Sequence, residues 1–396
     1  MNVLLSKVPF GRNKKIDFPI LLWFALAFVA VLLESLRDNS INNYIIFKQV
    51  FWHLTEQKNL YIPYPAEYGD TNHYGPSFAL LIAPFAVLPN WLGVILWSMA
   101  NAAVLFIAIK LLPISRKNFL IVLLISAVEM ETATHSVQYN PMVAAFVILA
   151  FVFIEKKNDF WGTFFIAFGF ITKLYGIAAI TFFLFSKDKV KFILYFAMWM
   201  VVLFCLPMIL SSPAYIIQCY SDWYHSISDK ILQNTGNLSP NHMQDICVMG
   251  MIRRTLHTTN FSDLVVLGPA VVLFALPLLR FSQYKSLLFR LRYLALILIS
   301  IVIFSDSAES STYVIPVVGV AIWYILQPKK SAWVIGMLVF VLLVTTLSAT
   351  DLCPEYIKHN IIRAYALKTL PCFIVWLILI WEVAFKKFDP HITEVQ

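Results

Sequence analysis

The chain is poor in charged residues. Only 13% of its 396 residues are Asp, Glu, Lys or Arg, whereas 60% are hydrophobic and the mean hydropathy is +0.76. An ordinary soluble domain carries about 25% charged and about 45–50% apolar residues. A soluble fold of this size could not bury so much apolar surface. The scarcity of charge therefore excludes a soluble globular protein and predicts an integral membrane protein.

Sequence motifs for nucleotide chemistry are also missing. The chain has no Walker A loop, no Rossmann glycine fingerprint, no kinase motif and no GxSxG sequence. Their absence argues against soluble nucleotide chemistry and leaves a lipid-borne substrate or transport. The histidines lack the spacing of a zinc site such as HExxH, so neither a metal nor another cofactor is predicted.

The cysteines include no CxxC pair. They are Cys205, Cys219, Cys247, Cys353 and Cys372. Two of them lie in apolar runs, which favours structural thiols. A disulfide between Cys219 and Cys247 in an oxidising compartment stays open.

Apolar segments are what the sequence has in abundance. They cover approximately residues 18–36, 77–89, 91–112, 118–133, 141–155, 160–171, 174–186, 191–210, 263–280, 292–305, 311–326, 331–348 and 368–385. A helix that crosses the ~30 Å hydrocarbon core needs about 20 apolar residues, and segment 77–89 would reach only about 20 Å. The prediction is an all-α polytopic bundle of about 12 transmembrane helices, with 77–89 as a short re-entrant or surface helix.

Basic residues set the predicted orientation of this single membrane domain. They occur in short bursts between apolar runs, as in cytoplasmic loops, rather than as a nucleic-acid surface. Both termini are therefore expected in the cytoplasm. The predicted outer loops are then residues 37–76, 211–262, 305–311 and 349–367. An alternative topology, in which 77–112 crosses the membrane twice and 160–186 once, places the same loops outside. Between the two long outer loops lies a helical core, 77–210, and the C-terminal helices occupy 263–396.

The first outer loop, residues 37–76, is rich in aromatic side chains. Residues 41–57 predict an amphipathic helix at the membrane surface. Glu34 and Asp38 lie at the outer mouth of the first helix, where a partly desolvated carboxylate can act as a general base. The aromatic residues suit either an interfacial belt or a platform for carbohydrate. The predicted apolar face of the helix contains Ile41, Ile45, Val50, Phe51 and Leu54, and the aromatic residues of the loop are Tyr44, Trp52, Tyr61, Tyr64, Tyr68 and Tyr74.

Further polar residues interrupt the apolar segments. Lys173 lies between two short apolar runs, where it is either a phosphate-binding cation or a lysine that snorkels to the interface. Gln138 and Asn140 mark a polar break that could also be a plain turn. An arginine pair in the second outer loop could bind a lipid phosphate or be ordinary loop charge. The candidates in the later loops are His242, Arg253, Arg254 and Glu309.

Five motifs follow one another along the chain: NNYIIFKQVFWHLTEQKNLY, HYGPSFALLIAPFAVLP, VQYNPMVAAFVILAF, FITKLYG and NHMQDICVMGMIRR. As an ordered set they resemble glycosyltransferase family 87 of the C-type glycosyltransferase superfamily. The resemblance covers roughly residues 18–260, and the later helices agree in character only. Each motif alone is degenerate, and the resemblance depends on the order in which the motifs occur.

The resemblance implies transfer of a hexose, typically mannose, from a polyprenyl-phosphate donor to a glycan or lipid acceptor outside the cytoplasm, in a bacterial inner membrane and without a cofactor. It also implies a carboxylate base in the first outer loop. Where many members have an aspartate, this chain has Asn43, so the expected catalytic base is the nearest upstream acid, Asp38. The expected substrate-binding residues are Asn43, Tyr44, Tyr74, Gln138, Asn140, Lys173, His242, Arg253, Arg254 and Glu309.

Two other functions stay open. A flippase or transporter of a lipid-linked sugar would typically have internal repeats and paired broken helices, whereas no repeat is visible and one broken stretch occurs, near Lys173. A non-catalytic relative in envelope-glycan assembly stays open because Asn43 replaces the aspartate.

Overall fold

The computed structural model describes residues 5–10, 14–37, 39–239 and 242–396. Within them the chain is mainly helical, with one antiparallel hairpin formed by β1 (Lys7–Phe10) and β2 (Lys14–Asp17). Its contacts divide it into two compact units. Unit 1 is Met1–Leu26, Leu112–Ala133 and Ile231–Gln396, and unit 2 is Ala27–Leu111 and Thr134–Lys230. The five cysteines are free thiols.

The α-helices run through most of the described chain. In chain order they are α1 Phe18–Ser35, α2 Asn42–Thr55, α3 Phe78–Ala86, α4 Asn90–Lys110, α5 Arg116–His135, α6 Asn140–Glu155, α7 Asp159–Thr172, α8 Lys189–Cys205, α9 Pro213–Thr235, α10 Val248–Leu256, α11 Leu264–Ala275, α12 Leu287–Ile303, α13 Val314–Ile325, α14 Ala332–Phe340, α15 Glu355–Ile357 and α16 Thr369–Phe385. The 3-10 helices are Leu174–Phe185, Leu206–Ile209, Leu276–Leu279, Phe281–Lys285, Ser310–Tyr313 and Leu347–Ala349, and π-helical turns cover Val341–Thr346 and Lys358–Arg363.

Several of these helices are long and apolar enough to cross a membrane. In the described ranges four helical stretches meet that requirement, Phe18–Ser35, Asn90–Lys110, Lys189–Ile209 and Ala332–Ala349, and shorter apolar helices accompany them. The described chain is thus mainly helical, as predicted, with apolar helices suited to a membrane, whereas the number of about 12 crossings stays a prediction. Helix α3 has 9 residues and is about 14 Å long, too short to span a ~30 Å core.

The two polar stretches of the sequence contain more helix than their composition suggests. Helix α2 forms within the predicted range, and Val50 and Leu54 of its predicted apolar face are buried. Ile41, Ile45 and Phe51 are only partly buried. The buried face is rotated toward Tyr44 and Phe47. The aromatic side chains cause this rotation, because Phe47 packs edge-on against Phe78 at a centroid distance of 5.2 Å. The second stretch, 211–262, contains α9 and α10.

Each unit has its own buried core. In unit 2 the rings of Phe78, Trp97 and Tyr139 lie 5.2–6.0 Å from one another. In unit 1 helix α12 packs against α13 and α16. A buried ion pair joins two of these helices, with Arg292 Nε of α12 lying 2.8 Å from Glu382 Oε2 of α16.

The predicted interruption of the helix near Lys173 is present. Helix α7 ends at Thr172, Lys173 is extended with φ −153° and ψ 119°, and the 3-10 helix Leu174–Phe185 begins at once. The chain then packs back against α7 at Gly176. A Cβ on Gly176 would lie closer than 3.0 Å to backbone atoms of Gly169 and Phe170. A glycine at this position therefore permits the close packing that sets the break.

Replacing Gly176 with alanine should destabilise unit 2. The added methyl group meets backbone atoms, and overpacking of this kind costs about 1–3 kcal/mol. Thermal unfolding of the purified protein in detergent measures the effect as a lower Tm. The matched control is Gly336→Ala in α14, where a Cβ meets nothing within 4 Å and where alanine favours the helix. Equal Tm values for both variants would contradict this account of the break.

Candidate functional site

The ammonium group of Lys173 is held between an amide and two aromatic rings in unit 2. Its Nζ donates to Asn140 Oδ1 at 2.7 Å. It also lies 5.4 Å from the ring centroid of Tyr74 and 4.9 Å from that of Tyr175. A cation within about 6 Å of an aromatic face is attracted to it. Lys173, Asn140 and Tyr74 were predicted from the sequence as site residues, and the structure brings them together.

The start of α6 is fixed to the end of α7, which places Asn140 beside Lys173. Tyr139 is fully buried, and its hydroxyl lies 3.0 Å from Thr172 Oγ1, where either atom can donate. Asn140, the first residue of α6, follows Tyr139, and Lys173 follows Thr172 just beyond the end of α7. The hydrogen bond between Tyr139 and Thr172 thus sets the distance between the two polar side chains.

A glycine brings the third part of the site into place. The Gly75 N–H donates to the carbonyl oxygen of Thr172 at 3.1 Å. A Cβ at Gly75 would lie closer than 3.0 Å to the carbonyl oxygen of Ile171. Because a glycine permits this approach, the neighbouring Tyr74 ring reaches Lys173. The sequence motifs HYGP, VQYNP and FITKLYG therefore meet at the end of α7.

The other candidates of unit 2 surround this cluster. The hydroxyl of Tyr74 donates to Gln138 Oε1 at 3.4 Å. Asn43 Nδ2 donates to the carbonyl oxygen of Ser136 at 2.8 Å, in the connection between α5 and α6. Tyr44 is fully buried, and its hydroxyl donates to the carbonyl oxygen of Phe85 at 2.8 Å. Gln138 thus belongs to the cluster, Asn43 positions the connection, and Tyr44 packs α2.

His73 is a polar residue of the site that the sequence reasoning did not single out. Its Nδ1 lies 2.9 Å from Ser226 Oγ, and its Nε2 lies 3.1 Å from Thr71 Oγ1. Burial is the main reason why the pKa of His73 is lowered to about 4. The positive charges of Lys230 and Lys173 also lower this pKa, whereas the negative charge of Asp70 raises it. The imidazole is therefore neutral at pH 7. Its place in the HYGP motif was the available signal.

Arg253, a predicted phosphate ligand in unit 1, is bound to three carboxylates. Its Nε and Nη2 lie 3.1 and 2.6 Å from the two oxygens of Asp245. Its Nη2 also lies 2.6 Å from Asp306 Oδ1, and Nη1 bonds Asp263. Burial acts to lower the pKa of Arg253, but hydrogen bonds and charges from Asp245 and Asp306 raise it. With its side chain 1% exposed, Arg253 is better suited to hold the loop than to bind a substrate phosphate.

The remaining candidates of unit 1 also make structural contacts. Arg254 donates to the carbonyl oxygens of Arg363 and Gln244 at 2.7 and 2.6 Å. Glu309 forms a reciprocal cap with Thr312 on the 3-10 helix Ser310–Tyr313. His242 lies with its Nδ1 3.2 Å from Asn237 Nδ2. These contacts favour structural roles for all three. The predicted base, Asp38, lies outside the described residues.

One group of side chains has the composition of a metal site. A carboxylate oxygen of Asp245, one of Asp306 and the sulfur of Cys247 lie within 4.8 Å of one another. Arg253 already bonds both carboxylates, and Cys247 Sγ donates to Asp245 Oδ1 at 3.2 Å. Because both carboxylates already bind the Arg253 guanidinium, the group is interpreted as an ion-pair cluster rather than a metal centre.

Comparison with models of protein families identifies a match for this chain. The model of glycosyltransferase family 87 matches residues 72–305. This range includes the motifs HYGP, VQYNP and FITKLYG that meet at Lys173. No curated protein matches the chain.

The imidazole of His73 should titrate with a midpoint near pH 4 in the folded protein, well below the ordinary value of about 6.5. Between pH 4 and about 6.5 the unfolded chain binds a proton at His73 more readily than the folded protein does. The free energy of unfolding should therefore fall as the pH is lowered from about 6.5 to 4. NMR of the protein with labelled histidine measures the midpoint, and His73→Gln assigns the signal. A midpoint near 6.5 would contradict the burial described here.

Replacing Arg253 with methionine should strongly destabilise the protein, because three carboxylates lose their cation. Removing one partner of a buried ion pair costs about 3–5 kcal/mol, which thermal unfolding in detergent would report. The control is Lys191→Met, which breaks an exposed pair with Asp188 and should change little. An Arg253 variant of unchanged Tm that binds a polyprenyl phosphate less tightly would restore the ligand role predicted from the sequence.

Proposed function

This chain belongs to glycosyltransferase family 87, and we propose that it transfers a hexose from a polyprenyl-phosphate donor to a glycan or lipid acceptor. Mannose is the first candidate sugar. The proposed place of the reaction is the non-cytoplasmic side of a bacterial inner membrane, with both termini in the cytoplasm. The donor carries its own leaving group, so no separate cofactor is proposed.

The observation that carries this proposal is the position of Lys173. Transfer breaks the bond between the anomeric carbon and a phosphate oxygen, and negative charge grows on the phosphate as it departs. A cation placed where that charge develops lowers the barrier. The Lys173 ammonium is fixed by Asn140 at 2.7 Å at an interruption between two apolar helices, where a lipid-linked phosphate could reach it.

The neighbours of Lys173 suit a sugar. The flat faces of Tyr74 and Tyr175 lie beside the ammonium, and such faces match the C–H surfaces of a hexose. The amide of Gln138, next to the Tyr74 hydroxyl, offers both donors and acceptors for sugar hydroxyl groups. One displacement at the anomeric carbon, with the phosphate leaving from the opposite side, would invert the configuration of the sugar.

Replacing Lys173 with alanine should lower hexosyl transfer by about 10²–10³-fold, the loss typical when one group that stabilises transition-state charge is removed. The assay uses purified protein, radiolabelled polyprenyl-phosphate mannose, glucose or galactose, and a lipid extract as acceptor source. The matched control is Lys191→Ala, which removes an exposed lysine and should transfer at the wild-type rate. Tm should be the same for both variants. Wild-type transfer by Lys173→Ala, or no transfer from any of these donors, would contradict the proposal.

A further inference from the structure

A carboxylate and an imidazole form a close pair where α1 ends, within unit 2. His135 Nε2 lies 3.0 Å from Glu34 Oε1, and the Glu34 side chain is 5% exposed whereas that of His135 is 54% exposed. Arg37 Nη1 also donates to Glu34 Oε1, at 3.2 Å. A buried acid thus holds an imidazole that is open to the surroundings. This pair was not predicted from the sequence, although Glu34 was noted at the helix mouth.

The pairing decides which nitrogen of His135 carries the proton. An ionised carboxylate only accepts hydrogen bonds, so a hydrogen bond across the 3.0 Å between Nε2 and Glu34 Oε1 requires the proton of the neutral ring to be on Nε2. In the neutral ring Nδ1 is then the nitrogen with a lone pair. A carboxylate that orients an imidazole in this way also stabilises the imidazolium that forms when the ring takes up a proton. The geometry is therefore that of a general base.

The pair is joined by a short piece of chain to the cluster around Lys173. Residues 136–139 link His135, the last residue of α5, to Asn140, the first residue of α6. The Cα atoms of His135 and Asn140 are therefore at most about 18 Å apart. The amide of Asn43 fixes this connection through the carbonyl oxygen of Ser136 at 2.8 Å. An amide cannot itself take up a proton in catalysis, so Asn43 positions the segment that carries His135.

From this geometry we infer that His135, oriented by Glu34, takes the proton of the acceptor hydroxyl in the sugar transfer. This inference rests on the proposed function. The acceptor O–H bond breaks and its proton passes to Nδ1 of His135, while the oxygen forms a bond to the anomeric carbon. The bond from that carbon to the phosphate oxygen breaks, and its electron pair leaves with the polyprenyl phosphate, beside Lys173. Glu34 balances the charge of the imidazolium until the proton passes to water.

The test compares four variants of the full-length protein in the hexosyl-transfer assay. His135→Gln should lower kcat by about 10²–10⁴-fold, the usual contribution of a general base, with unchanged binding of polyprenyl phosphate. Glu34→Gln should also lower kcat, because the oriented tautomer is lost. Asp38→Asn tests the base predicted from the sequence. The matched control is His225→Gln, which changes an exposed histidine of α9 and should transfer at the wild-type rate.

Chemical rescue separates catalysis from folding. A His135→Gly variant should regain transfer when imidazole is added, whereas His135→Gln should not. If His135→Gln transfers at the wild-type rate, or if imidazole restores nothing, the inference is wrong. The proposed function survives that result when Lys173→Ala is inactive and Asp38→Asn has lost transfer. It fails together with the inference when Lys173→Ala also transfers normally.

Discussion

A charge among apolar helices has to be held by its surroundings, and the site of this protein is organised around such a charge. A lysine at a helix centre costs about 2.5–3.5 kcal/mol on the membrane-insertion scale. Here the cost is offset by the carbonyl oxygen of the Asn140 amide and by the faces of Tyr74 and Tyr175. The break in the helix at Lys173 makes this arrangement possible, because it frees the side chain from the apolar stripe of α7.

The backbone around the break explains why three separate motifs act as one. Gly75 and Gly176 both allow backbone to approach backbone at distances that a side chain would forbid. The contact between Tyr139 and Thr172 then sets the register of α6 against α7. With the chain fixed at these points, the polar side chains need little freedom of their own. Such preorganisation is what electrostatic catalysis requires.

Much of this could be predicted from the sequence, for identifiable reasons. Apolar content predicted a helical membrane protein, and the pattern around Lys173 predicted a broken helix that the structure confirms. Hydropathy could not predict helix α9 within the polar stretch 211–262, because α9 mixes polar and apolar residues and its mean hydropathy is low. Nor could it show long-range charge pairs. Arg253 bonds Asp306, and Lys368 bonds Glu129, through tertiary folding. The sequence therefore left open whether Arg253 is a phosphate ligand or a loop charge.

The most direct measurement of the central claim is a cryo-electron microscopy structure of the protein with a bound polyprenyl phosphate in a lipid nanodisc. The account predicts a phosphate oxygen about 3 Å from Lys173 Nζ, the distance of a charge-assisted hydrogen bond, with Tyr74 and Tyr175 on either side of the adjoining space. A phosphate bound elsewhere, with Lys173 still bonded to Asn140 and no ligand beside it, would contradict it.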